Sequence, residues 1–291
     1  MSIMTTLAQA QAMLPDSKLI NVSVEAAQEL AISRVGTDSR QIERNELFVA
    51  LVGERFDAHD FLSDVAKAGA GAALISNQDK CPADLPAICV SNTRVGLGNL
   101  AKAWRANHLI PLALVTGSNG KTTVKEMIAS IFKAAVGEQH TLVTKGNLNN
   151  DIGLPLTLLK LRSTDRLAVV ELGMNHPGET AQLAAIAQAN IALINNAQRE
   201  HQEFMATVAA VAEEHSDAIR ALPSDGIAVF PADSEFANVW RQAAGGRKVI
   251  DFVLSSAQTK ASAAVTGTLL SNGLVQIKTE QGSIEVQLNT L

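Results

Sequence analysis

Residues 116–123 of this chain are Thr116-Gly117-Ser118-Asn119-Gly120-Lys121-Thr122-Thr123, and they separate an apolar run, residues 111–115, from a helix-like run, residues 124–132. A buried strand, then a turn that contains glycine, then a helix is the layout of a phosphate-binding loop. Because glycine tolerates positive φ and has no Cβ, backbone N–H groups can converge on an anion. The stretch therefore predicts a site for a nucleoside triphosphate.

The loop also predicts roles for its own residues. Lys121 can reach the terminal phosphates, and Thr122 can ligate Mg²⁺. The common pattern has an earlier glycine at the position of Val115, so this loop is a shorter variant. A turn that contains Gly, Asn and Lys by coincidence is the alternative, but strand, loop, helix and the Thr pair all agree on a nucleotide site. The residues predicted to bind the nucleotide are Gly117, Ser118, Asn119, Gly120, Lys121, Thr122 and Thr123.

The composition limits the class of protein. The chain has 291 residues, of which 47% are hydrophobic and 18% are charged, enough for a buried core and about two domains. The net charge of -5 gives no reason to expect nucleic-acid binding, and an aromatic content of 3% argues against base-stacking platforms. Cys81 and Cys89 lack the spacing of a metal site and do not indicate a disulfide scaffold.

The sequence shows no targeting or membrane segment. No basic residue precedes Lys18, which argues against a secretory signal. No apolar run approaches the length of a membrane span. We therefore expect a cytoplasmic protein that does not insert into a membrane, and we expect it to be a monomer.

The first part of the sequence predicts a small α/β domain, which we place at residues 1–86. Its apolar runs have the lengths of buried strands, and a polar segment with two prolines forms a connector at its end. Its predicted elements are a strand at residues 46–51, a helix at 61–68 that ends at Gly69, a strand at 72–75 and the connector at 79–86. A predicted helix at 97–107 then leads to the nucleotide-binding part of the chain.

Residues 87–291 predict a second, larger domain in which short apolar strands alternate with helices. Such alternation implies a mostly parallel sheet covered by helices on both faces, with active residues at the carboxyl ends of its strands. The predicted strands are residues 112–115, 142–144, 167–170, 191–195, 227–230 and 248–252, and the predicted helices are 123–135, 179–189 and 208–222.

The periodicity changes after residue 260. Residues 265–269, 274–278 and 284–288 alternate apolar and polar side chains and are separated by turn residues, so they predict an antiparallel meander. The predicted fold class is therefore α/β. It comprises a small N-terminal α/β substrate domain, a P-loop central domain with a mostly parallel sheet, and the antiparallel meander at its C-terminal end.

Two titratable residues follow predicted strands. Glu171 comes directly after the buried run 168–170, and a carboxylate at a strand end beside a phosphate loop can bind Mg²⁺. His201 lies past the strand at residues 191–195 and is a candidate ligand for a second cation. The alternatives are a glutamate that faces solvent and an ordinary surface histidine. Their positions at strand ends favour metal ligands.

A segment dense in amides follows the predicted strand at residues 142–144. Three asparagines, Asn147, Asn149 and Asn150, occur within four residues. Amide side chains can bind carboxylate or phosphate oxygens without adding a full charge. A long polar loop before a helix is the alternative, but the neighbouring nucleotide loop favours a binding role.

These motifs resemble the Mur ligase family in order and spacing, over essentially the whole chain. The segments that match are residues 116–123, 146–159, 171–179 and 195–197, together with His201. The N-terminal domain looks like that of the member that joins D-alanyl-D-alanine to UDP-N-acetylmuramoyl-tripeptide. The segments similar to that member are Thr37-Asp38-Ser39-Arg40, residues 47–51 and residues 57–61.

The resemblance implies an ATP-dependent amide ligase of peptidoglycan precursor synthesis, with ATP and Mg²⁺ as cofactors. Its partners would be UDP-N-acetylmuramoyl-tripeptide and D-alanyl-D-alanine. A carboxylate of the tripeptide would attack the γ-phosphorus of ATP, and the amine of the dipeptide would then displace phosphate from the acyl phosphate. Whether the third tripeptide residue is diaminopimelate or lysine stays open.

The resemblance also implies a role for each matching residue. Ser39 and Arg40 would face the UDP group, and the asparagines would line the reaction zone. The implied catalytic residues are Lys121, Glu171 and His201. The implied metal ligands are Thr122 and Glu171 for a first Mg²⁺ and His201 for a second. The implied substrate-binding residues are Ser39, Arg40, Asn147, Asn149 and Asn150.

The chain departs from the family pattern at several positions. A lysine carbamylated on its amine usually stands at the position of His215, and histidine cannot form that adduct. Either His215 or a neighbour such as Glu214 substitutes, or the second metal is held differently. Pro231 replaces a common asparagine, and Ala58 replaces a common glycine. We also expect the family's C-terminal Rossmann-like domain to be absent, in which case these 291 residues lack full ligase activity.

Two other functions stay open. The first is a related ligase with a different acceptor, as in folate polyglutamylation, but the segment Asp38-Ser39-Arg40 argues against it. The second is a module that binds nucleotide or UDP-substrate without catalysis. His215 and the expected absence of a C-terminal domain favour that second alternative.

Overall fold

The fold was analysed in a computed structural model, which describes residues 3–199, 205–255, 262–271 and 273–287. The chain divides into two compact units. The first unit comprises residues 1–109 and 148–165, and the second comprises residues 110–147 and 166–291. The first of these boundaries follows Leu109. The boundary predicted from the sequence, after residue 86, separates a substrate-binding domain from an ATP-binding domain and stays a prediction.

The described residues form sixteen strands and nine α-helices. The strands are β1 (Thr5–Thr6), β2 (Lys18–Ile20), β3 (Ala31–Ile32), β4 (Arg34–Gly36), β5 (Glu46–Val49), β6 (Ala72–Ile75), β7 (Ala87–Cys89), β8 (Leu112–Thr116), β9 (Thr141–Val143), β10 (Leu167–Glu171), β11 (Ile191–Ile194), β12 (Ile227–Pro231), β13 (Lys248–Ser255), β14 (Val265–Leu269), β15 (Val275–Thr279) and β16 (Gly282–Val286). The helices are α1 (Leu7–Ala12), α2 (Val24–Glu29), α3 (Leu62–Lys67), α4 (Thr93–Ala106), α5 (Lys121–Val136), α6 (Gly153–Leu158), α7 (Glu179–Ala187), α8 (Val208–Arg220) and α9 (Ala237–Ala244).

The first unit is built on a sheet in the order β2-β7-β6-β5-β4, which is parallel except for the β2–β7 pair. Apolar side chains from β5, β6 and α3 form its core, among them Phe48, Ile75 and Leu62, all fully buried. Burial of such a side chain contributes about 1.5–3 kcal/mol. The predicted strands at residues 46–51 and 72–75 are confirmed as β5 and β6.

The predicted connector at residues 79–86 lies within the first unit. It leads into β7, which returns to the same sheet, and then into α4. The helix α4 starts at Thr93, four residues before its predicted start, because the Asn92 side chain accepts hydrogen bonds from the N–H groups of Arg94 and Val95.

His59 fixes the segment before α3. It is 2% exposed; its Nδ1 lies 2.6 Å from a carboxylate oxygen of Asp57, and its Nε2 accepts a 2.9 Å hydrogen bond from the N–H of Ser76. Both ring nitrogens therefore have partners, and the imidazole ties this segment to the end of β6. We assign His59 a structural role.

The second unit is built on one main sheet in the order β16-β15-β14-β13-β12-β11-β8-β10-β9. Strands β8 to β14 pair in parallel, and β14, β15 and β16 pair in antiparallel fashion. The predicted mostly parallel sheet and the antiparallel meander are both confirmed. The meander is an extension of the main sheet, because β14 pairs with β13.

Apolar strands and amphipathic helices explain the packing of this unit. The strand β8 is buried along its full length, as expected of a strand covered on both faces. Trp240 of α9 is fully buried against Phe230 of β12, with ring centroids 5.9 Å apart, and its indole N–H donates to the carbonyl of Ala212. In the described part of the chain, no helix is both long and apolar enough to cross a membrane.

Candidate functional site

The phosphate-binding loop lies where the strand order of the main sheet reverses. From β8 the chain runs to β9 and β10 on one side and then to β11 on the other side. Glu171 pairs with Val115, and Ile194 pairs with Thr116, so the carboxyl ends of the three strands are level. Ligands of open parallel sheets bind in the crevice at such a switch point.

Two glycines give the loop its shape. Gly117 has a φ of +130° and Gly120 a φ of +75°, both in the range that favours glycine. A Cβ on Gly117 would lie 3.0 Å from the backbone nitrogen and oxygen of Asn196. Gly117 is therefore required both by its φ and by the close approach of a second backbone segment.

The loop ends at the N-terminus of α5, a helix of 16 residues. Gly120 stands at the cap position, and no side chain within the described residues caps this end. The first N–H groups of a helix lack intrahelical partners, and the helix dipole adds partial positive charge there. This N-terminus is suited to bind an anion.

Lys121 folds over the loop. Its Nζ donates hydrogen bonds of 2.6 and 3.1 Å to the carbonyl oxygens of Gly117 and Ser118. The ammonium thus lies beside the loop and the start of α5, where it adds a full positive charge to the field of the helix N-terminus.

Thr122 and Glu171 meet at the same edge of the sheet. The hydroxyl of Thr122 donates a 2.9 Å hydrogen bond to Oε2 of Glu171, whose side chain is 2% exposed. Mg²⁺ prefers oxygen ligands and usually binds through one or two carboxylates together with substrate phosphates. The pair fits Mg²⁺ in this respect. Among the residues that the structure describes, no cluster of three or more His, Cys, Asp and Glu side chains could hold a metal ion by itself.

The segment after β11 holds the tip of the loop. Asn119 donates from its N–H to Oδ1 of Asn196 at 2.9 Å, and its carbonyl accepts from the side chains of Asn195 at 2.6 Å and Asn196 at 2.9 Å. Ser118 Oγ accepts from the N–H of Gln198 at 2.8 Å. These contacts fix the loop before any ligand binds.

The position predicted for a carbamylated lysine lies on α8. His215 is 1% exposed, and its Nδ1 lies 3.2 Å from Oγ1 of Thr116, the last residue of β8. Both oxygens of its neighbour Glu214 accept hydrogen bonds of 2.9–3.0 Å from the N–H groups of Gly178 and Thr180, at the start of α7. Glu214 therefore caps α7. The other predicted metal ligand, His201, lies outside the described residues.

The three predicted asparagines divide between the two units. Asn147 belongs to the second unit and is exposed, and Asn149 and Asn150 belong to the first. Asn150 accepts hydrogen bonds of 3.3 and 2.8 Å from the N–H groups of Ile152 and Gly153, so its side chain closes the turn before α6. The substrate-binding role of these asparagines stays a prediction.

Ser39 and Arg40 line an open cavity of about 720 Å³ in the first unit, together with Phe56 and Phe61. Both rings are partly accessible, at 60% and 41% exposure. The low aromatic content argued against stacking platforms, yet two of the eight phenylalanines lie at this cavity. Hydrogen bonds from the Arg40 side chain lower the pKa of the neighbouring Asp38 to about 2, so its carboxylate stays ionised.

Sequence reasoning missed two buried polar residues beside the loop. Lys125 of α5 and Thr144, the residue after β9, are both fully buried and share a hydrogen bond of 2.9 Å. A lysine one turn beyond Lys121, on the face of α5 that also buries Ala129, was the available signal. Its partner could not be identified from the sequence, because the contact depends on where β9 ends.

Comparisons with known proteins agree with this geometry. Residues 115–291 match the model of the Mur ligase middle domain, and residues 31–105 match that of the Mur ligase family catalytic domain. The chain is 39% identical over 272 residues to the UDP-N-acetylmuramoyl-tripeptide–D-alanyl-D-alanine ligase of Escherichia coli (strain K12), with 93% of this chain and 58% of that protein covered.

Two solved structures of MurF are similar as well. The crystal structure I from Acinetobacter baumannii superposes with a TM-score of 0.85 at 33% identity and covers 98% of this chain and 60% of that one. The structure from Thermotoga maritima in complex with ADP gives a TM-score of 0.73 at 26% identity, with 87% and 57% covered. The chain thus spans little more than half the length of these relatives. The family match over more than half of its residues shows that the chain belongs to the Mur ligase family.

Proposed function

We propose that this chain contributes to an ATP-dependent ligase that joins D-alanyl-D-alanine to UDP-N-acetylmuramoyl-tripeptide. The observation that carries the proposal is the contact between Thr122 and Glu171, 2.9 Å apart beside the uncapped N-terminus of α5. The names of the relatives supply the substrates, and the neighbour in complex with ADP supports the use of an adenine nucleotide.

The reaction has two steps. A carboxylate of the tripeptide attacks the γ-phosphorus of ATP, and ADP leaves, which yields an acyl phosphate. The amine of D-alanyl-D-alanine then attacks the acyl carbon, phosphate leaves, and the amine nitrogen loses a proton. ATP thereby converts a poor leaving group into a good one.

The residues of the second unit would hold the nucleotide. The N–H groups at the start of α5 and the ammonium of Lys121 would bind its phosphates, and the charge that develops on them would be stabilised in the transition state. Thr122 and Glu171 would hold Mg²⁺, which neutralises phosphate charge when bound. In this proposal His201 binds a second cation.

The first unit would bind the nucleotide part of the other substrate. Its cavity presents Ser39 and Arg40 to diphosphate oxygens and the rings of Phe56 and Phe61 to a base. The exposed guanidinium of Arg40 is oriented by two hydrogen bonds of 2.8 and 2.9 Å to the Asp38 carboxylate. Because these bonds already restrict the Arg40 side chain, less conformational entropy is lost when substrate binds. Asn147, Asn149 and Asn150 would contact the reacting groups.

The ligase activity is tested by measuring phosphate release from ATP with the purified protein as its gene encodes it. We expect release only when UDP-N-acetylmuramoyl-tripeptide and D-alanyl-D-alanine are both present. Equal release with D-glutamate or a diamino acid as the acceptor would overturn the assignment of the dipeptide.

The two binding sites are tested separately by calorimetry on residues 1–291. Lys121→Ala is expected to weaken ATP binding at least about tenfold, because one ion contact to phosphate is lost, and to leave UDP-substrate binding unchanged. Arg40→Ala should have the converse effect. Variants that weaken both ligands alike would contradict two separate sites.

A further inference from the structure

Lys125 is a buried lysine that the proposed chemistry does not use. It lies on α5, one turn beyond Lys121, and its side chain is fully buried. Its Nζ donates to the carbonyl of Thr144 at 2.9 Å and also to the carboxylate of Glu126. Because burial of an ammonium is costly without good partners, we asked what the contacts of Lys125 contribute to the site.

Thr144 connects Lys125 to the predicted metal ligand. It is fully buried just after the end of β9, which lies at the edge of the main sheet. Its N–H donates to the carbonyl of Val169, its own carbonyl accepts from Lys125, and its hydroxyl accepts a 3.0 Å hydrogen bond from the N–H of Glu171. A buried carbonyl at an edge strand needs a donor, and Lys125 supplies one.

These contacts link Glu171 to α5 in two ways. The carboxylate of Glu171 accepts from Thr122, and its backbone is held through Thr144 by Lys125. Thr122 and Lys125 are three positions apart, so they are neighbours on the surface of α5. The helix that follows the phosphate loop therefore holds both the side chain and the backbone of the same glutamate.

We infer that Lys125 and Thr144 are positioning residues that set the Glu171 carboxylate against the first turn of α5, and thereby determine how much Mg²⁺ strengthens nucleotide binding. The inference rests on the proposed binding of Mg²⁺ and nucleotide at this loop. Neither residue touches the nucleotide in this scheme. Their effect passes through the position of one carboxylate, since binding of a metal ion depends on ligand placement.

A purely structural role predicts a different result. If Lys125 only satisfied a buried carbonyl, its loss would lower the thermal stability and leave the effect of Mg²⁺ unchanged. The ratio of nucleotide affinities with Mg²⁺ and with EDTA therefore separates the two roles, because thermal stability cancels from that ratio.

The test is calorimetric titration of ATP into the 291-residue chain, in Mg²⁺ and in EDTA. We expect Lys125→Met, which keeps the volume and removes the donor, to lose about tenfold of the Mg²⁺-dependent gain in affinity and to bind ATP normally in EDTA. Lys133→Met is the matched control, because Lys133 lies on the same helix and pairs only at the surface with Glu138 among the contacts described. It should retain the full gain.

A second pair of variants keeps the test decisive if Lys125→Met does not fold. Thr144→Val removes the hydroxyl that accepts from Glu171 and should lose the gain, whereas Thr144→Ser keeps the hydroxyl and should restore it. If Lys125→Met or Thr144→Val keeps the full Mg²⁺-dependent gain in ATP affinity, the inference is overturned, while the proposed function stands. If the wild-type chain binds ATP no better with Mg²⁺ than with EDTA, the proposed function and this inference both fail.

Discussion

The hydroxyl of Thr122 donates a 2.9 Å hydrogen bond to the carboxylate of Glu171, across 49 positions of sequence. The two residues stand on neighbouring elements: Thr122 lies at the amino end of α5 and Glu171 at the carboxyl end of β10, and these ends meet. A hydroxyl and a carboxylate are thereby placed together beside the phosphate-binding loop. In the proposed function this pair determines the response of the site to Mg²⁺.

The first prediction concerns the hydroxyl of Thr122. Thr122→Val keeps the shape of the side chain and removes the oxygen, so ATP affinity in Mg²⁺ should fall about tenfold, while affinity in EDTA should change little. Thr122→Ser retains the oxygen and should behave like the wild-type chain. Calorimetry with and without Mg²⁺ measures both, and equal affinities for the valine and serine variants in Mg²⁺ would refute the role.

The second prediction concerns the glycine at the start of the loop. Gly117→Ala places a Cβ 3.0 Å from the backbone of Asn196 and forces a φ of +130° on alanine. Strain of this kind costs about 1–3 kcal/mol before the steric contact is added. We expect a lower melting temperature and at least about tenfold weaker ATP binding.

Gly69→Ala is the control for the glycine variant. Gly69 has a φ of +93°, and a Cβ there would meet nothing within 4 Å. It should lower the melting temperature and leave ATP binding unchanged. If both variants bind ATP as the wild-type chain does, the close approach at Gly117 has no part in binding.

The third prediction concerns the cap of α7. Glu214→Ala removes the acceptor for the N–H groups of Gly178 and Thr180, so the free energy of unfolding should fall by about 1–3 kcal/mol. Glu213→Ala removes an exposed ion pair with Arg220 and should cost less than about 1 kcal/mol. Urea denaturation followed by circular dichroism compares the two, and equal losses would argue against the cap.

The fourth prediction concerns pH. Burial raises the pKa of Glu46, although the Glu43 N–H and Arg34 oppose the shift, so the folded state favours the protonated carboxyl. Its contribution to stability is then full below the ordinary pKa of a glutamate, about 4.3, and is lost as the pH rises through the folded-state value.

Glu46→Gln tests that sign. Because glutamine does not titrate, the variant should gain stability relative to the wild-type chain as the pH rises from about 4 to about 7. Urea denaturation at both pH values measures the difference. A difference that does not change with pH, or that changes in the opposite direction, would show that the pKa is not raised.

Much of the second unit was predictable, because the sequence patterns that specify its strands and its loop extend over only a few residues. Each predicted strand of the main sheet appears within three residues of its predicted ends, since short apolar runs between helices have few other stable arrangements. Glu171 was expected just after its strand and is the last residue of β10. The glycines of the loop were identifiable because positive φ excludes most other residues.

Other features depended on contacts that no local pattern specifies. The short strands β2, β4 and β7 were missed, since runs of three residues have no measurable periodicity. The cavity with Phe56 and Phe61 was not foreseen, because a composition reports how many aromatic residues there are and not where they gather. Asn150 was expected to bind substrate, and in the structure its side chain also closes a turn.

The sequence alone determined that a glycine-containing turn joins a buried strand to a helix, and that alternating strands and helices build a parallel sheet around it. These properties follow from backbone sterics and hydrophobic periodicity, which act within a few residues. Only the tertiary structure decided that β10 lies beside β8, and hence that Glu171 meets Thr122 and that Lys125 reaches Thr144. Strand order is a property of the packed sheet, because it depends on which apolar faces bury one another most completely, and residues far apart in sequence become neighbours only through it.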